Sequence, residues 1–159
     1  MATLDDISGR LGLTIVFEPE TTETGAWYRM FIIKIESDAK AVSYCSLDNQ
    51  VFMRSPVCEF SQMNYQIGLL LSGEISSFSF TPDDERDYEL LIGRFNFKTD
   101  TDFRLYIHTD KWEKGTVDMP GDKVNSGFSF RVTQHELARF RDQLTSEFET
   151  VVSRCPDKR

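Results

Sequence analysis

At 159 residues, with 40% apolar residues and 13 phenylalanines, the chain has enough apolar material for a packed core and too much for a disordered segment. Its net charge of −8 disfavours nucleic acid and anionic membrane surfaces as direct partners, since both demand clustered Lys and Arg. The first residues are acidic where a signal peptide is basic, and no run approaches the roughly 20 apolar residues of a membrane helix. The expectation is a soluble cytoplasmic protein of one domain, 1–159, frayed at 1–8 and 154–159.

The first predicted strand covers 11–17, with Leu11, Leu13, Ile15 and Phe17 on one face. A polar loop broken by Pro19 leads to a long strand over 27–36. Both faces of that strand are largely apolar through its middle, which predicts a central position in the sheet. A turn around Asp38 precedes a strand over 41–47, and the pair Asp48-Asn49 marks a turn before a possible short strand over 50–53. Ser55 and Pro56 then read as the cap and first position of a helix. Val57, Phe60, Met63, Ile67 and Leu70 recur at helical spacing, and Gly73 is placed to end the element. Gly68 inside this helix costs on the order of 1 kcal/mol relative to Ala, so packing must hold it.

Four strand-like runs follow, over 75–80, 88–97, 103–109 and 127–132. In the third, Phe103, Leu105 and Ile107 alternate with Arg104, Tyr106 and His108, so one face is expected to be wet. Thr133-Gln134-His135-Glu136 spells a capping box, in which the Thr133 hydroxyl and the Glu136 carboxylate each satisfy a backbone N–H. Val132 and Leu137 suit a hydrophobic staple. Leu137, Phe140, Leu144, Phe148 and Val151 form one apolar stripe. The sum is an α+β fold: a mainly antiparallel β-sheet of about six or seven strands, with two helices, around 56–72 and 134–152, packed on it. Both helices follow an apolar strand and open with a hydroxyl cap, but their sequences align too poorly to be read as a repeat.

Little in this chain spells catalysis. Cys45, Cys58 and Cys155 are widely spaced and odd in number, which fits neither a disulfide framework nor the close ligand pairs of a zinc site. Only His108 and His135 are available as bases, and no nucleophile elbow accompanies them. Asp83, Asp84, Glu85 and Asp87 lie in a turn beside Pro82. Solvated carboxylates of that kind keep ordinary pKa values, and their spacing does not match a calcium loop. No phosphate loop or dinucleotide fingerprint appears. The reading is therefore a non-enzyme without metal or cofactor.

The charge is unevenly spread. Residues 1–26 carry −4 and residues 81–89 carry −4, so the rest of the chain is neutral. Such acidic segments suit a basic protein partner, although acidic loops also serve solubility alone. Trp112, flanked by Asp110 and Glu113, combines an aromatic anchor with acids, a composition favoured at interfaces. A Trp112 folded back on the sheet edge is the competing reading. The candidate partner-binding residues are Asp83, Asp84, Glu85, Asp87, Asp110, Trp112 and Glu113.

Several features carry a family resemblance. Trp27-Tyr28 opens the long strand, and the strand over 88–97 is followed by that over 103–109. The chain then ends Phe128-Ser129-Phe130-Arg131-Val132-Thr133-Gln134-His135-Glu136-Leu137-Ala138-Arg139-Phe140 before its last helical turns. In this the chain resembles bacterial immunity proteins of polymorphic toxin systems, in particular the WapI-like group and its relatives. As an order of elements the resemblance covers most of the chain; as a motif it covers about the last 30 residues. It implies a small acidic protein that binds a cognate toxin domain, such as a basic nuclease, and blocks it; no shared catalytic residue is carried over. The alternatives are an adaptor or accessory subunit of phage or secretion machinery, and a small-molecule-binding or hydrolytic domain. The last would need Arg29, Arg104 or His108 to converge in a deep pocket.

Overall fold

The computed structural model describes residues 1–19, 26–36, 39–45, 59–80, 89–94, 102–108 and 127–153. The strands are β1 (Ala2–Asp5), β2 (Leu11–Pro19), β3 (Ala26–Glu36), β4 (Ala39–Cys45), β5 (Ser77–Phe80), β6 (Glu89–Arg94), β7 (Asp102–His108) and β8 (Gly127–Thr133). The helices are α1 (Glu59–Ser72), between β4 and β5, and α2 (Gln134–Ser153), after β8. All strand pairs are antiparallel and join sequence neighbours, in the orders β1-β2-β3-β4 and β5-β6-β7-β8. The α+β class holds, and β3 is central as its two apolar faces predicted. The strands are divided over two sheets, however, and the order of four strands and a helix occurs twice. Alternation within a strand says which face is buried, but not which strands share a ladder.

The N-terminal residues correct the sequence expectation of a frayed 1–8. Ala2 and Leu4 are fully buried, in register with Ile15 and Leu13 of β2. With only four residues, β1 is too short for its alternation to stand out from noise. A tight turn follows: the Asp6 N–H donates to the Leu11 carbonyl at 2.9 Å, and the Gly9 N–H donates to the Asp6 carbonyl at 2.7 Å. Gly9 has φ +67°, a left-handed conformation that costs glycine nothing.

This turn is also where the two sheets meet. The Ile7 N–H donates to the Arg131 carbonyl on β8 at 2.7 Å, and the Arg131 N–H donates to Asp6 Oδ1 at 2.6 Å. The Asp6 side chain thus occupies the place of a backbone acceptor. Its other oxygen accepts from the Ser8 N–H at 2.9 Å and from the Ser8 hydroxyl. Burial pushes this carboxyl up, but the donors from Ser8, Arg131 and Ile7 outweigh it and leave the pKa below the ordinary value of 3.8.

Inside, buried residues of both sheets and both helices form one cluster. β2 contributes Leu13, Ile15 and Phe17, the second sheet contributes Leu90, Ile92, Phe103, Leu105, Ile107, Phe130 and Val132, and α1 contributes Met63, Ile67 and Leu70. The α2 stripe is buried as its spacing predicts: Leu137, Phe140, Leu144 and Val151 are in the core, and Phe148 packs on its margin with its ring 5.8 Å from that of Phe17. α2 lies chiefly over β1 and β2 and also touches α1. Its polar flank holds the first strand, since Gln143 Oε1 accepts from the Thr3 N–H at 3.0 Å.

The helix ends show which local signals operate. Thr133 Oγ1 accepts from the Glu136 N–H at 3.2 Å, as a cap should. The reciprocal half of the expected capping box does not form, because the Glu136 carboxylate turns to Arg139 instead. The Ser55-Pro56 start predicted for α1 lies outside the described residues, as do the strand over 50–53 and the tail 154–159. The α1 C-terminus is a Schellman motif: the Glu74 N–H reaches the Leu69 carbonyl at 2.9 Å and the Gly73 N–H reaches the Leu70 carbonyl at 3.3 Å. Gly73 adopts the φ of +84° that this turn requires. Arg94 of β6 completes it, donating from Nη2 to the Leu70 carbonyl at 2.9 Å.

Candidate functional site

The two segments that carry the predicted contact residues attach to one end of the second sheet. Residues 81–88 join β5 to β6, and residues 109–126 join β7 to β8. In the ladders Phe80 stands opposite Leu90, Glu89 opposite His108, and His108 opposite Gly127. Phe80, Glu89, His108 and Gly127, the residues that border the two segments, therefore all lie at the same end of the sheet. At about 4.8 Å between neighbouring strands, these four strand ends span roughly 14 Å. Asp83, Asp84, Glu85, Asp87, Asp110, Trp112 and Glu113 themselves lie outside the described residues. So do Cys58 and Cys155, and nothing further is described of the Cys45 side chain in β4.

His135 lines a shallow, open hollow of about 470 Å³ along α2 with Ala138, Arg139, Asp142, Gln143 and Ser146. At 1.5 Å rise per residue, Ser146 lies about 16 Å along the axis from His135, and Asp142 about 10 Å. A nucleophile and its base must be within hydrogen-bond reach, so these residues make a helix face rather than a catalytic set. Among the described residues, no three His, Cys, Asp or Glu side chains are grouped to hold a metal ion, and no helix is long and apolar enough to cross a membrane.

Sequence reading missed the arrangement on the outer face of the second sheet. Arg104 and Tyr106 fall on its outward phase as expected, but the register sets Arg104 opposite Arg131. Arg104 Nη1 donates to the Tyr106 hydroxyl at 2.9 Å, and its guanidinium lies 5.8 Å from the Tyr106 ring centroid. Residues 27 positions apart carry no sequence signal of being cross-strand partners, and only the ladder joins them. Arg104 thus lies on a sheet face; the side chains of Arg29 and His108, its proposed companions in a pocket, are outside the description.

No family model matches the chain, and comparison with curated proteins and with solved structures likewise gave no match.

Proposed function

We propose that this is an immunity-type protein of the bacterial cytoplasm, which binds and neutralises a cognate toxin domain through the acidic segment around Asp83, Asp84, Glu85 and Asp87 and the segment around Asp110, Trp112 and Glu113. The observation that carries the reading is the strand topology. The acidic segment and the Trp112 segment depart from adjacent strand ends at one end of the second sheet. An aromatic anchor flanked in sequence by acids is the composition of a contact surface for a basic partner. Segregated acids, −4 within 81–89 alone, also steer a basic partner to that end and raise the association rate.

The test is capture by the tagged protein of a toxin co-expressed from the same genomic neighbourhood, with toxin activity as the second readout. Charge reversal of Asp83, Asp84 and Glu85 to Lys should slow association by one to two orders of magnitude at low salt, roughly the span seen for steered pairs. Trp112→Ala should raise the dissociation rate. Recovery of phage or secretion components without any toxin would replace this reading with that of an adaptor.

A further inference from the structure

The two sheets are joined through α2 and through the turn at Asp6. α2 packs on β1, β2 and β3 of one sheet and on β7 and β8 of the other, and Asp6 and Ile7 bond directly to Arg131. α1 stands to one side of this arrangement, against α2 and β5. It buries Met63, Ile67 and Leu70, where α2 buries Leu137, Phe140, Leu144 and Val151. Its last turn is fastened by Arg94, which is exposed and donates to the Leu70 and Leu71 carbonyls.

The body of α1 meets α2 along a polar seam whose hydrogen bonding is incomplete. Asn64 Nδ2 donates to Thr145 Oγ1 at 2.5 Å, and that hydroxyl donates to the Arg141 carbonyl at 3.0 Å. Asn64 Oδ1 and Arg141 Nε are buried in the same seam without a hydrogen-bond partner. Each forfeits its hydration when the helices dock and regains it when they part. Buried polar atoms are nearly always paired, so two exceptions on opposite sides of one contact mark where the fold separates at least cost. The Arg141 guanidinium lies over Gly68, which has no side chain to offer it and weakens the helix itself. Once separated, a helix of 14 residues with an interior glycine is marginal in water. Undocking and unwinding of α1 are therefore one event.

We infer that α1 opens as a cooperative unit within the native protein, leaving both sheets and α2 folded, and that the unpaired groups of the seam lower the cost of this opening. The opened form uncovers Met63, Ile67 and Leu70 together with the apolar surface beneath them, and is a second state of the same chain. This inference concerns α1 and its seam alone and does not rest on the toxin reading.

The experiment is native-state amide hydrogen exchange of the full-length protein, followed residue by residue in NMR spectra at increasing low concentrations of urea. The amides from Asn64 to Leu71 should behave as one group, with protection at least about tenfold below that of the slowest amides in α2 and β7. Their protection should also fall less steeply with urea, because the opening exposes less surface than global unfolding. Ile15→Val, in β2, should lower the protection of the slowest amides severalfold and leave that of α1 unchanged. Asn64→Leu combined with Arg141→Met removes both unpaired atoms and should raise the protection of α1 by about tenfold. Amides of α1 and α2 lying on one common line, or protection in α1 that only tapers from its ends, would overturn the inference. So would a loss of α1 protection in the double variant, since the seam would then hold the helix rather than release it. Should that variant not fold, the urea dependence of the parent protein decides alone.

Discussion

Each of the two helices follows a run of four strands, yet their sequences support them differently. α2 carries its instructions locally: the Thr133 cap at its start and a stripe in which Leu137, Phe140, Leu144 and Val151 are all buried. α1 is better marked at its end, where Gly73 closes a Schellman turn, than along its length, where Gly68 interrupts a good helix former's position. The seam between them is polar. Asn64 Nδ2 donates to Thr145 Oγ1 at 2.5 Å, Thr145 Oγ1 donates to the Arg141 carbonyl at 3.0 Å, and the Arg141 guanidinium lies across Gly68. Asn64 Oδ1 and Arg141 Nε are buried there without a hydrogen-bond partner. A helix held by an apolar stripe and one held partly through a polar seam should respond differently to substitution.

The largest effect is expected in the stripe. Phe140 is fully buried, and Phe140→Ala should cost about 3–5 kcal/mol, read from the urea midpoint at unchanged slope. A near-neutral result would mean that the stripe is loosely packed and that α2 is no firmer than α1.

The junction between the sheets comes next. Asp6→Ala leaves the Arg131 N–H without its acceptor and should cost about 1–3 kcal/mol. The pH dependence has a defined sign. The folded-state pKa of Asp6 is lowered, so its contribution is fully present above the ordinary carboxylate value and is lost as pH falls through about 4 toward the folded value. Denaturation midpoints measured between pH 7 and pH 3 should therefore fall less steeply for Asp6→Asn than for the parent. Parallel curves would remove Asp6 as a titrating link.

A smaller loss is expected at the α2 cap. Thr133→Ala should cost about 1 kcal/mol, while Glu136→Gln should cost only a few tenths, because Glu136 faces Arg139 at the surface rather than closing the box. Equal losses from the two substitutions would restore the reciprocal box.

What could be read in advance follows the range of each interaction. Seven of the eight strands among the described residues, the α2 stripe and the Gly73 stop rest on residues within about a dozen positions of each other, and periodicity exposes them. β1 escaped because four residues do not make a period. The division into two sheets, the bridge from Asp6 to Arg131 and the pairing of Arg104 with Arg131 depend on strand register, which joins residues far apart in the chain. Of the candidate contact site, composition singled out Asp83, Asp84, Glu85 and Asp87 in one segment and Asp110, Trp112 and Glu113 in another, and only the ladders reveal that the strand ends flanking the two segments are neighbours.

The smallest effect addresses the seam directly. Gly68 looks like a packing requirement, since the Arg141 guanidinium covers it. A Cβ at this position would lie 3.4 Å from Arg141 Cζ and Nη2, which is ordinary van der Waals distance from the end of a flexible side chain. The helix gains up to about 1 kcal/mol from replacing an interior glycine by alanine. The gain should exceed the cost of a small shift in Arg141, so Gly68→Ala is expected to stabilise the protein by about 0.5–1 kcal/mol, seen as a rise in the urea midpoint. Stabilisation would show that the glycine is tolerated rather than required and that α1 is the improvable helix of the pair. A loss would mean that Arg141 is held firmly where it lies, and the polar seam would then be as stringent as the apolar stripe.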